Sequence, residues 1–215
     1  MIGIGVITYN RTEHLRLCLE KIQEFTSDYI LYIHDDSVTK KGIAYGKNKC
    51  LEHLKGCDHI FLFDDDVFPK KVGWTDYFIN SGYKHSCYMN NDYQPAYHGD
   101  KHTSYIMCSG VFIYLTKEVF ETVGYFNPEY GRYGYEHAGY SHRIHQAGLT
   151  PSRFICLNET KDYIYSLDLD GIEGYEFLNH KRSITDLERA ESVKKNNLIY
   201  MKETTEHQVY YNFKP

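Results

Sequence analysis

The chain has 215 residues, 42% hydrophobic and 25% charged, a length and balance that suit one globular domain able to bury a sizeable core. Lys plus Arg number 24 against 29 Asp plus Glu, so the net charge of -5 argues against a nucleic-acid partner, which would need a basic face for phosphate. No apolar run approaches the length of a membrane-spanning helix, and Met1–Ile7 lacks the basic stretch and apolar length of a secretory signal, so a cytoplasmic location is expected.

The first third alternates strand and helix signals. Ile2 to Thr8 is a nearly continuous apolar run and reads as a buried strand. Leu15, Cys18, Leu19, Ile22 and Phe25 then fall on one helical face, with Asn10 or Thr12 available as the cap. Tyr29 to Ile33 is a second strand, halted by His34-Asp35-Asp36-Ser37. Ile43 to Leu54 is a second helix with Cys50, Leu51 and Leu54 inward, stopping at Gly56. His59 to Phe63 is a third strand, halted by Asp64-Asp65-Asp66. This βαβαβ order predicts a parallel sheet whose strand ends carry Tyr9-Asn10, Asp35-Asp36 and the acidic triplet to one edge, where open α/β sheets bind ligands.

The remainder is less regular. Trp74–Ile79 suggests a short helix and His85–Met89 a strand; Asn90–Thr103 is polar and turn-rich and reads as a mobile loop. Tyr105–Leu115 is a strand pattern broken at Ser109-Gly110, and Thr116 is placed to cap a short helix that ends at Gly124. Glu136–Gly148 suits a helix with Tyr140, Ile144 and Ala147 inward. Thr185-x-x-Glu188 is a capping box opening a last helix to about Asn197, and 199–215 reads as a loosely attached tail. The six cysteines, at 18, 50, 57, 87, 108 and 156, show no paired spacing and are expected to be reduced.

Three adjacent carboxylates at a strand end repel one another and need a cation, a helix N-terminus or open water. Carboxylate oxygens favour hard cations such as Mg²⁺ or Mn²⁺, which complete their shell with phosphates and water. Asp168-x-Asp170-Gly171 is a second such spacing, but no strong strand precedes it and it reads as a turn. His98-x-x-x-His102 and His142-x-x-His145 have ligand-like spacing and are read as packing residues. The 22 tyrosines offer flat, hydrogen-bonding surfaces, and Tyr125, Tyr130, Tyr133, Tyr135 and Tyr140, with Trp74, are candidates for stacking on a sugar.

Four of these features, in this order, resemble a nucleotide-sugar glycosyltransferase of the GT-A fold, most similar to family 2. They are Ile7-Thr8-Tyr9-Asn10-Arg11, Asp35-Asp36-Ser37, the segment Gly42 to Asn48, and Asp64-x-Asp66. A later stretch, Ser109-Gly110-Val111-Phe112, Val123-Gly124-Tyr125-Phe126-Asn127 and Tyr133-Gly134-Tyr135-Glu136 through Arg143, is similar to the acceptor-side motif of the inverting β-1,4-galactosyltransferases. The resemblance implies an α/β, Rossmann-like GT-A domain over 1–215 with a mixed, mostly parallel sheet flanked by helices. Residues 1–100 would form the nucleotide-sugar half, 101–180 the acceptor half and 181–215 a C-terminal helix and tail.

The resemblance also implies residue roles. Thr8, Tyr9, Asn10, Arg11, Asp36, Asn48, Asp64 and Asp65 would bind the nucleotide-sugar, with Tyr9 and Asp36 on the base and Asp65 on the ribose. Asp64, Asp66 and His180 would hold Mn²⁺ or Mg²⁺, with Lys181 and Arg182 near the diphosphate. The family's usual catalytic Asp falls on His137, so the base that deprotonates the acceptor is either Glu136 or His137. The donor implied is a UDP-sugar, the partner a glycan or glycoconjugate acceptor, and the outcome inversion. A nucleotidyltransferase of related architecture or a non-catalytic sugar-binding module are the alternatives.

Overall fold

A computed structural model describes residues 1–90, 92–178 and 184–214. Strand β1 (Ile2–Thr8) leads into helix α1 (Thr12–Phe25), and β2 (Tyr29–Asp35) runs into the single turn α2 (Asp36–Thr39). Helix α3 (Ile43–Leu54) and strand β3 (His59–Asp64) complete the alternation. Gly3 and Gly5 in β1 have a packing reason. A Cβ on Gly5 would lie 2.6 Å from Cys50 Cβ, and one on Gly3 2.8 Å from Cys57 Sγ, so α3 and the turn after it seat directly on the strand backbone. The expected side-chain cap on α1 is absent. Arg11 occupies the N-cap, Asn10 adopts a left-handed turn with φ of 53°, and Thr12 lies within the helix.

Past β3 the chain forms the short strand β4 (Val67–Pro69), α4 (Trp74–Ile79), β5 (His85–Tyr88), β6 (Pro95–His98), β7 (His102–Tyr105) and β8 (Ser109–Thr116). Then come α5 (Lys117–Val123), α6 (Glu136–Gln146), β9 (Ile155–Leu157), α7 (Thr160–Tyr163), β10 (Ile164–Ser166), α8 (Leu167–Asp170) and α9 (Asp186–Glu206). The central sheet has the order β2-β1-β3-β8-β5. β1 is parallel to both β2 and β3, with Ile2 opposite Tyr29 and His59, whereas β8 is antiparallel to both β3 and β5. Only β8 therefore runs against the others. Alternation along the strands feeds two cores. Leu51, Leu62, Ile113, Phe126 and Ile144 fill one face, and Val6, Ile22, Phe63, Trp74 and Phe112 the other.

Several expectations change. The polar stretch Asn90–Thr103 is not a loop throughout: β6, β7 and β9 make a three-stranded antiparallel sheet, with a hairpin closed by Gly99 N donating to His102 O at 3.0 Å. All four residues of β6 are exposed, so no apolar alternation marks it. Strands β4 and β10, which pair antiparallel, are three residues each, too short to show a period. Trp74 is no sugar platform. It is 0% exposed, donates to Thr26 Oγ1 at 2.9 Å and packs edge-on against Phe61 and Phe63. All six cysteines are buried and unpaired. Among the described residues no helix is long and apolar enough to cross a membrane.

The C-terminal segment is not a loose tail. The capping box at Thr185 and Glu188 forms, but α9 continues for 21 residues. Its fully buried positions are the polar Asn196 and Glu203, while Ile199 and Tyr200 pack against the core only partly buried, so the apolar stripe is interrupted and weak in the sequence. Glu203 accepts from Arg143 Nε at 2.8 Å and from Tyr130 Oη at 2.5 Å. Arg143, 0% exposed, also donates to the carbonyls of Val123 (2.6 Å), Tyr125 (2.7 Å) and Val209 (2.9 Å). Past α9, Tyr211 exchanges backbone bonds with Val123 O and Tyr125 N. Arg143→Met is expected to destabilise by ~3–5 kcal/mol, because Glu203 is left as an uncompensated buried charge. Arg143→Met combined with Glu203→Gln should cost less in urea unfolding, and a double variant no more stable than the single would contradict this.

Candidate active site

The parallel register places Ile7 opposite Asp64 and Thr8 opposite Asp35, so the chain leaves β1, β2 and β3 at one sheet edge. Three carboxylates crowd there, and Arg11 is the group that meets them. Its guanidinium grips Asp65 through two nitrogens and reaches Asp66 Oδ2 at 3.0 Å, while Thr8 Oγ1 donates to Asp65 Oδ2 at 2.5 Å. Burial works against the Arg11 charge, but Asp66 and Asp65 outweigh it and the group stays cationic. Asp65 is itself buried and committed to these partners, so it acts as the latch between β1 and β3.

Asp64 Oδ1 and Asp66 Oδ1 are different. Both are buried, and neither has a hydrogen-bond partner. Buried carboxylate oxygens without partners are costly unless a cation meets them. Burial, then the charges of Asp66, Asp65 and Glu136, push the Asp64 carboxyl up to about 7, with Lys47 opposing. Among the described residues no group of three or more His, Cys, Asp or Glu is set to enclose a metal, so phosphate and water would have to complete a shell begun by Asp64 and Asp66. His180, Lys181 and Arg182 lie outside the described residues.

Lys47 was not singled out from the sequence. It is 1% exposed, and its ammonium donates to Gly110 O at 2.9 Å and to Glu136 Oε1 at 3.1 Å. Burial lowers its pKa, but Glu136 and then Asp64 more than offset this, so it remains charged. The available signal is its position: Lys47 sits on the face of α3 that also buries Ala44, Cys50, Leu51 and Leu54.

Thr8, Tyr9, Arg11, Asp36, Asp64, Asp65, Arg132 and Tyr133 help line an open cleft. The Arg132 guanidinium stands 5.0 Å over the Tyr9 ring. Asp36 is buried and shapes the turn beneath it. Its Oδ1 accepts from Thr39 Oγ1 (2.6 Å) and Lys41 N (3.0 Å), and its Oδ2 from Gly42 N (2.9 Å). Burial raises this carboxyl, and those bonds with His34 bring it below the usual range. Oδ2 keeps a lone pair for a ligand. Gly42 has φ of 97°, and a Cβ there would stand 2.6 Å from Gly131 O, which lets the 131–133 loop close the cleft. Asn196 of α9 fixes that loop, donating to Tyr133 O and Gly134 O and accepting from Gly131 N. Asn10 is exposed and not among the cleft walls. Asn48 is also elsewhere: its amide is spent on Phe126, donating to O at 2.9 Å and accepting from N at 2.8 Å, so it anchors backbone.

A second cleft shares Arg11, Asp64 and Tyr133 with the first and is also lined by Asp66, Asp168 and Arg189. Asp168 and Asp170 lie in the single helical turn α8, in keeping with the turn reading. Asp170 accepts from Tyr88 Oη, from Lys161 Nζ at 2.7 Å and from Ser166 N at 2.9 Å, while Asp168 faces the cleft. Arg189 donates to Tyr133 Oη at 3.0 Å.

The acceptor motif is arranged differently from expectation. Glu136 is 3% exposed, and its Oε1 is shared by Lys47 and by His137 Nδ1 at 3.0 Å. Burial raises its carboxyl, but Lys47 and His137 outweigh this and hold it well below the carboxylate range. His137 Nε2 meets Cys108 O at 3.1 Å, so both ring nitrogens face acceptor oxygens and neither presents a lone pair to an incoming hydroxyl. Neither residue is among the walls of the two clefts with Asp64; His137 instead lines a separate apolar pocket with Tyr93, Cys108, Tyr135 and Tyr200. Of the tyrosine set, Tyr125, Tyr130 and Tyr140 are core residues with hydroxyls on Glu52, Glu203 and Gly124 O, leaving Tyr133 and Tyr135 at cavity walls. His98 and His102 pair with Thr103 and Tyr83.

No protein-family model matches the chain. An uncharacterized glycosyltransferase of Acanthamoeba polyphaga mimivirus is 28% identical over 187 residues, covering 80% of this chain and 64% of that protein, so the chain spans less than two thirds of its relative. Among solved structures, a Drosophila β1,4-galactosyltransferase 7 mutant in complex with manganese, UDP-Gal and xylobiose superposes with a TM-score of 0.53 at 16% identity, covering 87% of this chain and 79% of that one. S. aureus TarS (residues 1–349) gives 0.53 at 14% identity, covering 96% and 71%. At this identity the likeness is one of fold: the α/β architecture with its mixed central sheet is that of the GT-A glycosyltransferases.

The acidic edge has a consequence for stability. The native Asp64 carboxyl keeps its proton to about pH 7, against an ordinary 3.8. Between those values the native state binds more protons than the unfolded one, so this group makes stability fall as pH rises. In EDTA, thermal unfolding of Asp64→Asn should decline less from pH 5.5 to 7.5 than wild type. Parallel declines would show that Asp64 is ionised throughout.

Proposed function

We propose that the protein is a metal-dependent glycosyltransferase that moves a sugar from a nucleotide diphosphate donor, a UDP-sugar, to a hydroxyl of a glycan or glycoconjugate, with inversion. The observation that carries this is the pair of partnerless buried oxygens, Asp64 Oδ1 and Asp66 Oδ1, in a cleft continuous with the Tyr9–Asp36 wall. The mimivirus relative and the GT-A neighbours support the same reading, the Drosophila enzyme having been captured with manganese, UDP-Gal and xylobiose.

In this reading residues 1–100 supply most of the donor site, 101–180 the acceptor side, and 181–215 the strap that holds the 131–134 loop. Tyr9, with Arg132 above it, stacks on the nucleobase, and the free lone pair of Asp36 accepts a base N–H. Asp64 and Asp66 hold Mn²⁺ or Mg²⁺, which would neutralise charge on the departing diphosphate. Arg11 keeps the carboxylates in place, and Arg189 offers a cation at the diphosphate end of the second cleft. Lys47 stops the cluster of acids from repelling itself apart.

Thermal unfolding with UDP, GDP, CDP or dTDP, each with Mn²⁺ or EDTA, tests this in wild type and Asp66→Ala. A nucleotide at 100 times its Kd should add about 2.7 kcal/mol. The expected result is a Mn²⁺-dependent shift with UDP that Asp66→Ala loses. No shift with any nucleotide would overturn the reading and leave a sugar-binding module in its place.

A further inference from the structure

Asp64 and Asp66 are not the only buried groups without partners. On α6, His142 is 6% exposed, and neither Nδ1 nor Nε2 has a hydrogen-bond partner. One turn further on, Gln146 Oε1 is buried and unpartnered as well, and so is Thr150 Oγ1 just past the helix. A neutral imidazole in such a place leaves one N–H and one lone pair unmet. An imidazolium there would bury two unmet N–H groups and a charge, which costs far more.

The surroundings repel that charge further. The ring stands edge-on to Tyr200 of α9, with centroids 6.4 Å apart, and the Tyr200 hydroxyl accepts from Arg153 at 3.2 Å. The charged and titratable groups facing His142 are Arg153 from the segment ahead of β9, His145 and Arg143 from α6, and His207 at the C-cap of α9. His145 Nδ1 meets Thr150 O at 3.0 Å, and His207 Nδ1 meets Gln146 Nε2 at 2.9 Å. Glu203, the carboxylate that α9 brings to this interface, is committed to Arg143 and Tyr130. Burial, then Arg153, His145, His207 and Arg143, push the imidazole down to about 4 from an ordinary 6.5.

Tyr200 and His207 belong to α9 and its cap, and the same helix carries Asn196. Withdrawal of α9 would expose the ring to water. It would also take Asn196 from Gly131 N, Tyr133 O and Gly134 O, the groups that hold the loop bearing Arg132 and Tyr133. We propose that His142 is an acid-sensitive clasp: taking up a proton releases α9 from α6 and, through Asn196, frees the 131–134 loop that lines the cleft. Because the docked state disfavours the proton, docking is complete above the ordinary value of 6.5 and weakens progressively as pH falls from there towards 4.

Amide hydrogen exchange at pH 7.5 and 5.5, corrected for intrinsic rates, tests this. In wild type, protection over 190–206 and 129–135 should be about tenfold lower at pH 5.5, the ratio set by 6.5 for the released ring and about 4 for the docked one. Protection in α1 and α3 should change by less than about threefold. His142→Gln and His142→Phe, neutral at both pH values, should keep α9 protection constant. Equal protection of wild-type α9 at the two pH values overturns the proposal. So does a fall as large as that of wild type in either variant, which would move the sensor to another group. The ring resonances of His142 in wild type give a check that needs no variant: an imidazolium at pH 5.5 with α9 still protected also overturns the proposal.

Discussion

One buried cation joins the two halves of this molecule. Lys47 on α3 reaches Gly110 O on β8 and Glu136 at the start of α6, and it lies in the field of Asp64 at the end of β3. Four carboxyl groups, Asp64, Asp65, Asp66 and Glu136, converge at one sheet edge, and their mutual charge is part of what pushes Asp64 up. Lys47 and Arg11 divide the neutralisation between them. Arg11 satisfies Asp65 and one oxygen of Asp66, Lys47 satisfies Glu136, and what remains unsatisfied is one oxygen each on Asp64 and Asp66. The cationic side chains thereby leave these two buried oxygens without a hydrogen-bond partner at the cleft.

The C-terminal helix repeats this logic at the back of the domain. Arg143 and Glu203 are both buried, and such a pair holds a segment in one geometry because any other leaves a charge without a partner. The consequence reaches the cleft. α9 carries Asn196 seven residues before Glu203, and Asn196 takes up three backbone groups of the 131–134 loop that presents Arg132 and Tyr133. The spacing of Glu136 and Arg143, which resembles an acceptor motif, thus has a separate structural reason: Arg143 fastens the strap.

The alternation through β3, the amphipathic faces of α1 and α3, and the delivery of Tyr9, Asp36 and the acidic triplet to one edge were legible from local period and from the rule for open α/β sheets. The hairpin β6–β7, the three-residue strands and the extent of α9 were not. Exposed or very short strands have no apolar alternation, and a helix whose buried positions are Asn196 and Glu203, with Ile199 and Tyr200 only partly buried, has a broken apolar stripe. Asn48 and His137 illustrate the limit for sites. Each is the residue type a ligand would want, but an amide or imidazole serves a ligand only if the fold has not already given it backbone and carboxylate partners.

Sequence alone determined what depends on near neighbours: which segments coil, which extend, and where like charges collect. Tertiary structure decided which polar groups are spent and which stay available. The interactions that settle this join residues far apart in the chain, 54 positions between Arg11 and Asp65, 89 between Lys47 and Glu136, 60 between Arg143 and Glu203. The physical reason is desolvation. A buried charge or amide must find a partner, and which partner it finds is a property of the packed fold, so Glu136 became part of the scaffold, held by Lys47 from 89 positions away.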